Sequence, residues 1–414
     1  MRQIMNYHLL LDLVVDLGYR LAVCGAETYR VEESATRILA AYGLRSEVFA
    51  LPNCLTVSIE TDAREPLTKM RRIGPPENDL DSVERYSGLS RRLCAETPDP
   101  IIGRQWLKET DRSRICYSNR MQYVGHFLGA AGYTAFFGGT LLDCICGGIC
   151  GLVICASNLF QTQFLVNRFF RTIISAFLMA LPAYLMARVH LVTYVDSVII
   201  GSLMILVPGL LFTNAMRDII FGDTNSGINR VVQVLLIAVS IALGTGTALS
   251  ITTSVWGTAV IPTATIDPVI SLLGAAVGCV GFAIIFNIHG PGVVICTIGG
   301  VLTWIVYLLT IRLGCTEIIA YFWGTVCSAL YAEIMARIRK YPAISYLVIA
   351  AFPLLPGGGV YYTMNYAVQG DMENFSQRGM QTIAIAGAMA AAILLVSTAF
   401  RLVGTLKTHR LEQK

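Results

Sequence analysis

The sequence predicts an α-helical polytopic membrane protein, with ten transmembrane helices arranged as two inverted five-helix repeats behind a small cytoplasmic α/β domain. Three observations carry this. The chain is 55% hydrophobic and only 14% charged, whereas soluble chains run nearer half apolar and a quarter charged. Its charges are unevenly spread: residues 1–120 hold 34 of the 58 charged side chains, and the remaining 294 residues hold the rest. Finally, one backbone break occurs twice: Leu206-Val207-Pro208-Gly209 through Gly222-Asp223 recurs 148 residues later as Leu354-Leu355-Pro356-Gly357 through Gly370-Asp371.

Residues 1–115 read as the α/β domain. Leu10, Leu13, Val14, Leu17 and Leu21 form a helical stripe that Cys24-Gly25 ends, and a second helix is expected over about 26–42, before Gly43. Residues 46–51 and 54–61 read as strands, the second alternating Leu55, Val57 and Ile59 with polar residues. A further helix is expected over 79–96, after the turn-forming Gly74-Pro75-Pro76. Asp12 and Asp16 interrupt the first apolar run, so no cleavable signal pattern is expected. In the run Gly25-Ala26-Glu27-Thr28-Tyr29-Arg30-Val31-Glu32-Glu33 the acidic residues complement a helix start, and Glu27 to Arg30 and Glu33 to Arg37 have ion-pair spacing.

From Met121 onward ten apolar stretches centre near residues 130, 149, 181, 206, 242, 278, 300, 327, 355 and 392. Each is roughly 17 to 25 residues long, enough for a ~30 Å hydrocarbon core. Residues 121–255 form the first five-helix repeat, 266–403 the second, and 404–414 a cytoplasmic tail. With a cytoplasmic amino terminus, eleven of the fourteen Lys and Arg residues after the first span fall inside; Arg188, Arg312 and Arg378 fall outside. Both termini are therefore expected in the cytoplasm.

At the 148-residue offset Met216 matches Met364, Arg230 matches Arg378 and Gln233 matches Gln381. Looser markers extend the duplication: Leu128-Gly129-Ala130-Ala131 with Leu273-Gly274-Ala275-Ala276, Cys144 with Cys296, and Met186-Ala187-Arg188 with Met335-Ala336-Arg337. Five spans per copy is an odd number, so the second copy must enter the membrane from the opposite side. Proline removes a helix hydrogen bond and glycine loosens the chain further. Freed carbonyls and half-helix ends near mid-membrane then favour a solute site. The expected pathway residues are Pro208, Gly209, Thr213, Asn214 and Asp218 in the first copy, with Pro356, Gly357, Gly358, Tyr362 and Asn365 in the second. The alternative is two proline kinks with polar helix ends.

Asp143 and Glu333 lie inside expected spans and are candidates for carrying a coupling proton. The twelve cysteines have no zinc-type spacing, so neither metal nor cofactor is expected, and Cys reads as a small apolar residue. No G-x4-G-K-[ST] loop is present, which argues against direct ATP use, and the net charge of +4 follows the loop bias and implies no nucleic-acid partner. His8 is the only histidine in residues 1–115, and no nucleophile-base pair is evident there. Gly- and Ala-rich helix faces would pack within one chain or between copies, which leaves a homo-oligomer open.

The run from Gly25 to Glu32, the strand pair behind it, and ten spans with two proline-glycine breaks resemble the threonine/serine exporter (ThrE) family over nearly the whole chain. The resemblance implies an inner or plasma membrane exporter of threonine and serine, driven by the proton gradient, that is not an enzyme. Gly25, Glu27, Thr28, Arg30 and Glu32 fall on the family's amino-terminal motif. Relatives that split these regions between two chains are associated with succinate, so a C4-dicarboxylate exporter is one alternative; a membrane-anchored enzyme with a catalytic amino-terminal domain is another.

Overall fold

A computed structural model describes residues 6–61, 64–74, 77–164, 167–257 and 264–412. Pro75 and Pro76 of the expected turn, and the last two residues of the tail, lie outside them. The chain divides into two compact units: the first holds the residues up to Cys116 together with Phe286–Ile288 and Lys340–Ser345, and the second holds the remainder.

In the first unit, α1 (Tyr7–Val23) and α2 (Thr28–Ala41) precede β1 (Ser46–Leu51), β2 (Cys54–Glu60) and β3 (Pro66–Arg72), followed by α3 (Leu80–Glu96) and α4 (Pro100–Arg112). The strands pair antiparallel in the order β1-β2-β3. Leu55, Val57 and Ile59 are buried on one face of β2, as their alternation predicts, with Leu10, Leu13, Val14 and Leu17 of α1 fully buried as well. The strand β3 and the helix α4 were not expected from sequence. Every second residue of β3 is exposed and its run Lys69-Met70-Arg71-Arg72 is largely charged, so its apolar periodicity is faint. Ion pairs tie it to α1 instead, Lys69 to Asp12 and Arg71 to Asp16.

The second unit is helical: α5 (Asn119–Phe136), α6 (Leu141–Gln161), α7 (Arg168–Arg188), α8 (Val195–Leu203), α9 (Gly209–Phe221), α10 (Thr224–Trp256), α11 (Pro268–Ile285), α12 (Pro291–Arg312), α13 (Glu317–Arg339), α14 (Ala343–Ala350), α15 (Gly357–Gln369) and α16 (Met372–Glu412). Seven of these helices, α6, α7, α10, α11, α12, α13 and α16, are long and apolar enough to cross a membrane. An eighth candidate is the pair Ala343–Ala350 and Phe352–Ala367, bent by 46°. The expected first and fourth spans fall short: α5 opens with Asn119, Arg120 and Gln122, and α8 and α9 are short helices separated by the first break.

Small residues bring the helices close. Gly125 of α5 lies beside Gly281 and Ile284 of α11, and Gly132 beside Gly274 and Gly278, so the two helices cross antiparallel at glycine-to-backbone contact. Helices α7 and α10 run parallel: Gly244 lies against Ile173 and Phe177, and Arg188 donates to the Trp256 carbonyl at 3.1 Å. The pair α13 and α16 is also parallel, with Gln381 donating to Glu317 at one end and Arg337 stacked 4.3 Å over the Phe400 ring at the other. Pro182 sits inside α7 without ending it, while Pro208 and Pro356, each followed by glycine, stand at helix breaks.

Candidate functional site

The two breaks meet each other. Pro208 caps α9 at φ −84°, ψ 44° and Pro356 caps α15 at φ −74°, ψ 44°, nearly the same backbone turn. A Cβ on Gly209 would stand 2.9 Å from the Cβ of Leu355, and one on Gly357 would stand 2.9 Å from Val207 Cγ1 and 3.2 Å from Met204 Sδ. Each glycine therefore makes room for the other break. Gly358 has more space, its nearest outside atom being Ile200 Cγ2 at 3.9 Å. Two helices begin at this junction, and the first N–H groups of each have no acceptor within the helix. Their partial positive ends converge where the chains touch.

The frames match closely beyond the breaks. Helices α9 and α15 each have 13 residues and end on a left-handed glycine, Gly222 at φ 92° and Gly370 at φ 78°. Asp223 and Asp371 then cap the next helices, accepting from the Ser226 and Asn374 backbone at 3.3 and 3.1 Å. Phe212, Val234, Val360 and Ala386 form a shared apolar cluster beneath Met216 and Met364.

The expected pathway side chains divide into three groups. Thr213 is buried and donates to the Gly209 carbonyl of its own helix at 3.2 Å, and Thr363 does the same to Gly359 at 2.7 Å. Asn214 and Asn365 are half-buried with no hydrogen bond among the described residues. Tyr362 is half-buried, its ring 5.4 Å from that of the buried Tyr361. Asp218 is an ion-pair centre, 3.2 Å from Arg230 and 3.6 Å from Arg217, with all three side chains about nine-tenths buried.

A further carboxylate lies in this unit. Asp196, in the first turn of α8, is half-buried with neither hydrogen bond nor ion pair among the described residues. Its charge reaches the phenols of Tyr184, Tyr361 and Tyr362.

The two proton-coupling candidates lie elsewhere. Asp143 is fully buried at the start of α6 and closes a capping box with Thr140. It also accepts from the Thr193 backbone at 2.7 Å and that of Tyr194 at 3.4 Å, so it pins the chain entering α8. Glu333 pairs at 2.5 Å with Arg337 one turn on.

In the first unit, Gly25 has φ 96°, and a Cβ there would stand 2.8 Å from the Glu77 carbonyl, so only glycine fits. Glu32 accepts from the Ala50 backbone at 2.8 Å and fastens α2 to β1. Glu27 caps α2 through its backbone and Thr28, its first residue, is buried. Of the two expected pairs Glu33–Arg37 forms, at 2.7 Å. The Glu27–Arg30 pair does not, and Arg30 has no partner among the described residues. Beside the motif, Asp79 accepts from Asn287 (2.8 Å), the Ser82 hydroxyl (2.5 Å) and Arg114 (2.8 Å). Burial alone would raise its pKa, but these donors outweigh burial and hold it below the usual value. Cys24 is pushed up to about 12, chiefly by burial and then by the Asp79 charge.

Apolar helices in this number, two of them broken at one buried junction, define a multi-pass helical membrane protein. Residues 12–252 match the family described as putative threonine/serine exporter, and residues 271–399 match threonine/serine exporter, ThrE. The chain belongs to the threonine/serine exporter family, a transporter family. No curated protein and no solved structure matches it significantly. The two matched stretches part between α10 and α11.

Proposed function

We propose that this protein exports threonine and serine across the cell membrane, coupled to the proton gradient, by alternating access of two inverted five-span copies. The meeting of the two breaks carries this reading. A zwitterion needs positive partial charge for its carboxylate and carbonyl oxygen for its ammonium, and converging half-helices present both at one place. The helix directions support the inverted arrangement: α5 opposes α11, while the third and fifth helices run parallel within each copy. Asn214, Asn365 and Tyr362 then offer side chains to the solute, and Pro208, Gly209, Pro356, Gly357 and Gly358 shape the backbone around it. Proton coupling falls to the membrane carboxylates, Asp143 and Glu333 with Asp196 added because it lacks a protein partner.

Cells loaded with a threonine-containing dipeptide should release threonine faster when they carry the chain, and a protonophore should abolish the difference. Release of threonine and serine that is indifferent to the chain, with chain-dependent release of succinate, would replace this reading with dicarboxylate export.

A further inference from the structure

Helices α2 and α3 face each other across an open cleft of about 470 Å³ within the first unit. Residues of one face of each helix line it: Arg30, Ser34 and Arg37 from α2, with Ser87, Ser90 and Arg91 from α3. Three guanidinium groups in one cleft repel one another, and the lining supplies a single carboxylate, Glu33, already paired with Arg37. Arg91 reaches only the Lys340 carbonyl, at 3.4 Å. Arg30 has no partner among the described residues, and its Nε is buried.

The floor of the cleft adds a second, independent observation. Ser87 is 5% exposed and its hydroxyl is buried with no hydrogen-bond partner; Ser90 is equally buried and also makes no hydrogen bond among the described residues. A buried hydroxyl without a partner costs on the order of 1–3 kcal/mol. The Ser87 hydroxyl, with the unbonded Ser90 hydroxyl and an unpaired guanidinium beside it, forms a set of donors lacking an acceptor.

We propose that this cleft binds a small oxyanion-bearing solute, with Arg30 forking onto the oxyanion and the Ser87 and Ser90 hydroxyls donating to it. A guanidinium matches a carboxylate or phosphate with two parallel hydrogen bonds, and serines in place of larger residues leave room for the group. The cleft lies within the size range of small-ligand sites. Its ligand would act on the amino-terminal unit and need not be the transported solute, so the proposal does not rest on the export reading.

Full-length protein in detergent micelles, titrated separately with inorganic phosphate, succinate and threonine, tests it by amide hydrogen exchange. At least one probe is expected to slow exchange in peptides of α2 and α3, and which one does so names the oxyanion's source. Arg30→Gln should remove that protection. Arg30→Lys should weaken binding by roughly 10- to 100-fold, the size of one or two charge-assisted hydrogen bonds. Unchanged exchange in the sheet would show that both variants are folded. No protection by any probe at millimolar concentration, or equal protection in Arg30→Gln, overturns the proposal.

Discussion

The two broken segments share a backbone and differ in chemistry. Each runs Pro-Gly, a 13-residue helix, a left-handed glycine and an aspartate cap, at matching positions 148 residues apart. Around that frame the side chains differ. Arg230 finds its carboxylate on the preceding helix, Asp218 of α9, inside a largely buried cluster. Its counterpart Arg378 is exposed and donates to Gln381 at 3.1 Å, and Gln381 donates in turn to Glu317 at the start of α13. Where the first copy places Asp218, the second has Tyr366, and where the first has Thr213 and Asn214, the second has Tyr361 and Tyr362. The matching backbone fixes where the helices start, and the differing side chains decide which end is held by charge and which by rings.

The largest effects are expected from breaking what the copies share. Gly209→Val and Gly357→Val each drive a branched side chain into the opposite break, where a single Cβ already stands 2.9 Å from a side-chain carbon. Overpacking of this kind costs about 1–3 kcal/mol, so the variants should still insert and fold while threonine efflux falls to background. Gly358→Ala, with its Cβ in ordinary contact, should retain efflux. Equal efflux from all three variants would mean that the junction is packing alone.

Next comes the feature the copies do not share. Asp218→Asn removes the carboxylate of a largely buried cluster with Arg217 and Arg230, and breaking a buried ion pair costs about 3–5 kcal/mol. The apparent melting temperature in detergent should fall accordingly. Glu317→Gln tests the second copy, where Arg378 is exposed, and should cost less than about 1 kcal/mol. Similar losses in the two variants would erase the asymmetry.

Much of this was legible in the sequence because it rests on backbone rules. A proline followed by glycine breaks a helix, and the sequence shows two such breaks at one offset, each followed by a glycine-aspartate stop, as the structure does. Pro182 shows the limit, since followed by alanine it leaves α7 unbroken. Illegible was whatever depends on which side chains meet. The glycine spacing of α5 recurs in α11, but only the structure places Gly132 against Gly278. Asp143 is legible as a carboxylate inside an apolar stretch, but its bonds to the Thr193 and Tyr194 backbone, 50 residues away, are not. The tyrosines that feel the Asp196 charge come from α7 and α15, which no local pattern around Asp196 reveals. The membrane-crossing count was blurred because α8 and α9 are short helices on either side of a break and α5 opens on polar residues.

The smallest expected effect sharpens the comparison most. Asn214 and Asn365 are the half-buried amides that follow the two breaks, and neither hydrogen-bonds within the described protein. Replacing either with alanine therefore orphans no protein group, and stability should stay within about 0.5 kcal/mol of the parent. A solute that accepts or donates one neutral hydrogen bond to such an amide loses about 1 kcal/mol, a roughly fivefold rise in half-saturating threonine. If both variants show this rise in reconstituted vesicles at unchanged maximal flux, the solute bridges the two copies, as convergent helix ends require. If only one does, the duplicated frame holds the solute from one side, and the other copy serves as the moving wall. If neither does, both amides merely finish kinked helices, and the solute is not held where the breaks meet.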